Sequence, residues 1–115
     1  MSHKTILIVE DELEILESLR EAFENEGYVV RCASNGMEAL GLLRLHPPPS
    51  AVVLDLLMPV MTGNELYEAM QADPTLATIP VVVSTSDPSR APKNVLILKK
   101  PIDLHTMLTA VNRLC

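Results

Sequence analysis

The sequence has few cysteines, no long apolar run and no excess of basic residues, and each absence excludes a class of protein. Its two cysteines, Cys32 and Cys115, form neither a disulfide framework nor the spacing of a metal site. No apolar run approaches the roughly 18–20 residues that a membrane helix needs, so no membrane insertion is expected. A formal net charge of -6 argues against direct nucleic-acid binding, which depends on Lys and Arg neutralising phosphates. Residues 1–4 lead straight into a strand-like run without a signal peptide, which predicts a cytoplasmic protein.

What the sequence does contain is typical of a sheet buried on both faces. The hydrophobic fraction of 48% and the mean hydropathy of +0.23 exclude a disordered acidic tail. The length of 115 residues fits one domain, which we expect to span residues 1–115. Short apolar runs alternate with helical segments, as in an α/β fold with a parallel sheet. Strands are predicted at residues 5–9, 28–33, 51–56, 79–84 and 95–98, and helices from residue 11 or 12 to about 26 and at 37–45, 64–72 and 103–114.

The segment between the fourth and fifth strands has too many prolines for a full helix. Pro92 would break any helix begun at Pro88, because proline lacks an N–H and its ring clashes with the preceding turn. At most one turn is expected, with Asp87 as its cap and Pro88 in its first position. The fourth helix of the fold is therefore predicted to be short or absent.

Polar residues with a common chemistry follow the predicted strands at their carboxyl ends. The first strand ends in Glu10 and Asp11, the third in Asp55, the fourth in Thr85, and the fifth in Lys99 and Lys100. Ligands of open parallel sheets bind beyond these ends, where the strand order reverses. Lys99 points the opposite way from Lys100 and is predicted to lie on the surface.

These residues suit phosphoryl transfer supported by a divalent cation. Carboxylates brought together repel, by about 4 kcal/mol per pair at 4 Å and an effective dielectric near 20. A Mg²⁺ ion, which prefers oxygen ligands, would relieve that repulsion. Asp55 can then act as the nucleophile, Lys100 as the fixed cation and the Thr85 hydroxyl as a hydrogen-bond donor.

Four segments of the chain combine these strand ends with their flanking residues. They are Ile-Leu-Ile-Val-Glu-Asp-Glu (6–12), Val-Val-Leu-Asp-Leu-Leu-Met-Pro-Val-Met-Thr-Gly (52–63), Ile-Pro-Val-Val-Val-Ser-Thr-Ser (79–86) and Leu-Lys-Lys-Pro-Ile-Asp-Leu (98–104). Together they resemble the receiver domains of two-component response regulators, in particular the chemotaxis-regulator type, and the resemblance covers essentially the whole chain.

The resemblance implies a doubly wound five-stranded parallel sheet of flavodoxin-like order 2-1-3-4-5. It also implies that Asp55 accepts a phosphoryl group from a histidine kinase or a histidine phosphotransfer protein. The protein would then be a phosphoacceptor that catalyses only its own phosphorylation and dephosphorylation, signalling through altered binding of a downstream protein. Mg²⁺ would be held by Glu10, Asp11, Asp55 and the backbone carbonyl of Leu57.

Within that resemblance, Lys100 would pair with the phosphoryl oxygens, and Thr85 would swing towards them after phosphorylation. The Lys100–Pro101 peptide would be cis. One position departs from the family, which usually has Tyr or Phe three residues before the lysine, whereas this chain has Ile97. An isoleucine has no ring to rotate, so we expect the usual coupling between Thr85 and an aromatic ring to be weakened or replaced.

Other interpretations of the same residues stay open. Glu10 and Asp11 could merely cap the first helix, and Thr85 could be a turn residue. The protein could be a diffusible receiver or a piece of a longer regulator, or a receiver-like docking module that does not switch on phosphorylation. A phosphatase with an Asp nucleophile needs a second Asp at position 57, where the chain has Leu57, and a dinucleotide-binding domain needs a glycine-rich turn after the first strand.

Overall fold

Five short apolar strands form one parallel sheet in the computed structural model. Their order is β2-β1-β3-β4-β5, which confirms the predicted order 2-1-3-4-5. The structure describes residues 4–58 and 60–115, so the predicted lead-in at residues 1–3 and Pro59 of the third-strand motif lie outside the described residues. In chain order the elements are β1 (Thr5–Val9), α1 (Leu13–Asn25), β2 (Val29–Ala33), α2 (Gly36–Leu45), β3 (Ala51–Asp55), α3 (Gly63–Gln71), β4 (Val81–Thr85), β5 (Leu96–Lys99) and α4 (Leu104–Leu114).

Alternate residues of the central strands face two separate apolar layers. Leu7, Val52 and Val83 belong to the layer that contains the buried residues of α2 and α3. Val53 and Val82 belong to the layer that contains the buried residues of α1 and α4. Because both faces are covered, β1, β3 and β4 are apolar at almost every position rather than alternating. The carboxyl ends of these three strands are therefore held in a rigid, close-packed setting.

Each helix begins where the local sequence supplies a cap, with one exception. Asn35 accepts a hydrogen bond from Glu38 N, Thr62 and Glu65 form a capping box, and Asp103 accepts bonds from the first turn of α4. Glu12 precedes α1 without a side-chain cap, since its carboxylate is directed elsewhere. The recurrence of apolar residues at intervals of three and four predicts that Leu13 belongs to the buried stripe of α1, but Leu13 is 68% exposed. Within the described residues, no helix is long and apolar enough to cross a membrane.

The crossover between β4 and β5 contains a single 3-10 turn at Pro88–Arg90, which confirms the predicted loss of the fourth helix. Asp87 caps the turn by accepting a hydrogen bond from Ser89 N, and Pro88 stands in its first turn, as predicted. Asn64 Nδ2, on α3, donates to the Arg90 carbonyl at 2.9 Å. This one turn is thereby attached to the beginning of α3.

Gly63 lets α3 begin directly against the backbone that carries Asp55. Its N–H donates to the Leu56 carbonyl at 3.0 Å. A Cβ at this position would lie 2.4 Å from the Asp55 carbonyl oxygen and 2.7 Å from Leu56 Cα. Both neighbours are backbone atoms that cannot rotate away, so any side chain here would have to displace the strand end or the helix.

We expect Gly63→Ala to destabilise the fold by about 1–3 kcal/mol, because it overpacks a contact between two backbones. Gly41→Ala is the matched control, since Gly41 lies in α2 and a Cβ added there would have no neighbour within 4 Å. That control should stabilise the protein by about 0.5–1 kcal/mol through helix propensity. Urea denaturation of both variants measures the difference, and equal free energies of unfolding would contradict the close contact.

Candidate functional site

The candidate site lies where the strand order reverses, between the carboxyl ends of β1 and β3. Val9 pairs with Leu54, so Glu10 and Asp55 are the next residues on adjacent strands. Both are buried, at 2% and 4% exposure, whereas Asp11 is exposed. Two carboxylates are thus held side by side in the interior, which is costly unless a cation accompanies them.

Lys100 supplies the one cation in contact with this cluster among the described residues. Its Nζ lies 2.9 Å from Glu10 Oε1, 3.5 Å from Asp55 Oδ1 and 3.9 Å from Glu12 Oε1. The Lys100–Pro101 peptide is cis, as the resemblance implies. Lys99 is exposed, in agreement with the prediction that it lies on the surface. The ammonium is therefore hydrogen-bonded to Glu10 and stands beside Asp55 without a short contact to it.

The charges of this cluster shift the pKa values of two groups. Burial, followed by the neighbouring charge of Glu10, raises the pKa of Asp55 to about 7, although Lys100 acts in the opposite direction. Burial alone would lower the pKa of Lys100, but its hydrogen bond to Glu10 and the nearby charges of Asp55 and Glu10 raise it above its ordinary value. Asp55 is thus an acid whose charged form is disfavoured by the protein alone.

The carboxylates fit a divalent cation. Glu10, Asp11 and Asp55 each offer an oxygen, and these oxygens all lie within 4.8 Å of one another. Such a set of hard oxygen donors, with one member at the surface, suits Mg²⁺ and leaves room for water or phosphate oxygens. Glu12 adds a fourth carboxylate to the cluster, so one lysine does not neutralise it.

Thr85 and Leu57 are the remaining predicted site residues, and each makes a hydrogen bond close to the cluster. Side chains of β4 alternate between the two faces of the sheet, and Thr85 continues the series of Val81 and Val83. Its side chain is therefore on the face of the sheet opposite to that of the Asp55 side chain. Its hydroxyl accepts a hydrogen bond from Asp87 N at 3.1 Å. Leu57 is 48% exposed and its N–H donates to Asp55 Oδ1 at 3.4 Å. The metal contact predicted for the Leu57 carbonyl and the swing predicted for Thr85 both stay predictions.

The sequence does not predict a site role for two further residues, Glu12 and Ser84. It indicates Glu12 as a helix start and as the last residue of the 6–12 motif, but not that its N–H donates to Glu10 Oε2 at 3.1 Å or that its carboxylate approaches Lys100. Ser84 pairs with Asp55 across β3 and β4 and is 1% exposed. The available signal for Ser84 was a polar residue at the end of an otherwise apolar Val-Val-Val run.

In metal-free buffer we expect Asp55→Asn to stabilise the fold at pH 8 by about 2–4 kcal/mol, since each unit of pKa difference corresponds to about 1.4 kcal/mol. The pKa of Asp55 is about 7 when folded and 3.8 in the reference state. The folded protein therefore binds the extra proton between these values, and wild type loses stability as the pH rises through them. The advantage of Asp55→Asn should be small near pH 4 and complete above pH 7.

Urea denaturation in EDTA from pH 4 to pH 8 measures that difference, with Glu21→Gln as the control on the exposed side of α1. Equal stability of wild type and Asp55→Asn at pH 8 would contradict the unfavourable burial of the carboxylate.

Comparisons with known proteins agree with this architecture. A family model described as "Response regulator receiver domain" matches residues 6–112. The chain is 38% identical over 81 residues to the response regulator MprA of Mycobacterium sp. (strain KMS), covering 70% of this chain and 34% of that protein. The chain thus spans about a third of the length of the first curated relatives that it matches.

Two solved structures superimpose closely. One is the signal receiver domain of a signal transduction histidine kinase from Syntrophus aciditrophicus, with a TM-score of 0.87, 34% identity, and coverage of 96% of this chain and 89% of that one. The other is the chemotaxis response regulator CheY4 of Vibrio cholerae, with a TM-score of 0.89, 26% identity, and coverage of 99% and 100%. With a family match over nearly its whole length and the same fold in these structures, the chain belongs to the response regulator receiver domains of two-component systems.

Proposed function

We propose that this receiver domain takes a phosphoryl group onto Asp55 from a histidine kinase or a histidine phosphotransfer protein, in a reaction that requires Mg²⁺. One observation carries the proposal: the carboxylate oxygens of Glu10, Asp11 and Asp55 lie close to one another, and the Lys100 ammonium stands beside them. The result of phosphorylation would be altered binding of a downstream protein. The stretch 1–115 would do this as one domain.

Asp55 would act as the nucleophile. Its carboxylate stands at the end of β3, anchored through the backbone contact with Gly63. An Asp55 oxygen would form a bond to phosphorus while the bond from phosphorus to the partner's histidine nitrogen breaks, and the histidine nitrogen would keep that electron pair. The raised pKa of Asp55 means that the protein alone disfavours the charged nucleophile, so a cation is needed to favour it.

Glu10, Asp11 and Asp55 are the side chains that would hold Mg²⁺, which when bound would neutralise their charge and that of the phosphoryl oxygens. Lys100 would add a fixed positive charge on the other side. Its 2.9 Å hydrogen bond to Glu10 holds the ammonium near Asp55 but leaves the Asp55 oxygens open. A small movement of Lys100 from Glu10 would then bring it to the equatorial oxygens.

The first test is the intact mass of the protein after incubation with acetyl phosphate, with and without Mg²⁺. We expect one added phosphoryl group in wild type with Mg²⁺ and none in Asp55→Asn. Lys100→Met should slow the reaction by about 10²-fold or more, since a charge that contacts the transferring group contributes several kcal/mol. Failure of wild type to take the group or to bind Mg²⁺ or beryllium fluoride would instead favour a docking module that does not switch.

The segment 86–98, which follows Thr85 and includes Ile97, is expected to respond little to phosphorylation. Ile97 is half-buried against the α2–α3 layer, and the Thr85 hydroxyl is engaged with Asp87. Without a ring at position 97 and without a fourth helix, we expect residues 86–98 to change little on phosphorylation. Amide hydrogen exchange of the free and beryllium fluoride-bound forms measures this, and a large loss or gain of protection across residues 86–98 would refute the expectation.

A further inference from the structure

The Ser84 hydroxyl is a buried polar group without a hydrogen-bond partner. Among the described residues, Ser84 Oγ is the one buried side-chain nitrogen or oxygen for which the structure offers none. The residue is 1% exposed. An unpaired buried hydroxyl generally costs about 1–3 kcal/mol, so its position at the end of β4 calls for an explanation.

The register of the sheet places Ser84 directly beside Asp55. Val53 pairs with Val82, and both face the α1–α4 layer. Side chains two positions further along parallel strands return to the same face, so Asp55 and its partner Ser84 also share that face. Neighbouring strands lie about 4.8 Å apart, so the side chains of paired residues on the same face are close neighbours.

The backbone and lysine donors of Asp55 are both distant among the described residues, and, besides burial and the charge of Glu10, a carboxyl hydrogen bond with Glu10 contributes to its raised pKa. Leu57 N is 3.4 Å from Asp55 Oδ1, and Lys100 Nζ is 3.5 Å from the same oxygen. Both distances exceed the roughly 2.7–3.2 Å of an ordinary N–H···O bond. Asp55 Oδ1 thus has no short bond to either of these N–H donors, and Asp55 stands next to a hydroxyl without an acceptor.

We propose that Ser84 is a positioning residue for Asp55, whose hydroxyl donates a hydrogen bond to the Asp55 carboxylate and fixes the orientation of its nucleophilic oxygen. The role in phosphoryl transfer rests on the proposed function, whereas the pairing of the two side chains does not.

The competing explanation is that Ser84 is merely small. The Lys100 side chain begins beyond β5 and reaches Asp55 on β3, so it has to cross β4 on the face where Ser84 stands. A small residue would leave room for it. Ser84→Ala separates the explanations, because it keeps the small size and removes only the hydroxyl.

The experiment combines a double-mutant cycle with a rate measurement. Wild type, Ser84→Ala, Asp55→Ala and the double variant are unfolded in urea with EDTA, and Ser18→Ala, on the exposed side of α1, is the matched control. We expect Ser84→Ala to lower the urea midpoint in the presence of Asp55, and to leave it unchanged or raise it in the Asp55→Ala background.

Phosphorylation by acetyl phosphate with Mg²⁺ should be about tenfold slower in Ser84→Ala, as expected for loss of a hydrogen bond to a charged group. The donor concentration for half-maximal rate should not change, and Ser18→Ala should match wild type.

The outcomes distinguish the inference from the proposed function. Equal shifts of the urea midpoint in the two backgrounds would overturn the pairing, even if wild type is phosphorylated normally. Coupled midpoints with an unchanged rate would overturn the positioning role. Coupled midpoints in a protein that takes no phosphoryl group would support the pairing and reject the proposed function.

Discussion

The burial of two carboxylates beside a single ammonium is the constraint on which the rest of this structure depends. Glu10 and Asp55 are forced together because they end adjacent strands at the point where the strand order reverses. Lys100 reaches them from the far side of β4 and bonds to Glu10. The arrangement keeps Asp55 surrounded by like charge, with one cation that is already shared. A site of this kind stores electrostatic free energy that a divalent cation would release.

The surrounding fold supplies the stability that such a site needs. β1, β3 and β4 are covered on both faces, and their apolar side chains fill two layers. Gly63 adds a contact between the start of α3 and the backbone of Asp55 that no other residue could make. The carboxylate is thus unfavourably charged but held on a rigid support. Packing and the contact with Gly63 fix the backbone that carries it.

The sequence predicts the fold and the main members of the candidate site well, for reasons that are local. Apolar runs bounded by polar strand ends identify the strands, and the prolines around residue 90 exclude a fourth helix. The structure differs from the sequence prediction at the start of β4. β4 begins at Val81 rather than at residue 79, because the Ile79 N–H closes a turn onto the Leu76 carbonyl.

What the sequence could not show depends on register and side-chain direction. Ser84 looks like an ordinary strand residue until β4 is aligned with β3, because only that alignment places it beside Asp55. The approach of Glu12 to Lys100 likewise joins residues 88 positions apart along the chain. The Thr85 hydroxyl can be assigned to the strand end from sequence, but its engagement with the Asp87 backbone cannot.

The single turn at Pro88–Arg90 also limits how far a movement can be transmitted on this side of the sheet. A helix of ten residues would be about 15 Å long and would carry a small tilt at one end to a larger displacement at the other. Three residues of 3-10 helix span only about 6 Å, and these are tied to α3 through Asn64. Movement on this side of the sheet is therefore not amplified with distance. Under the proposed function, a partner that senses phosphorylation of Asp55 through this flank would have to make contact close to Asp55 itself.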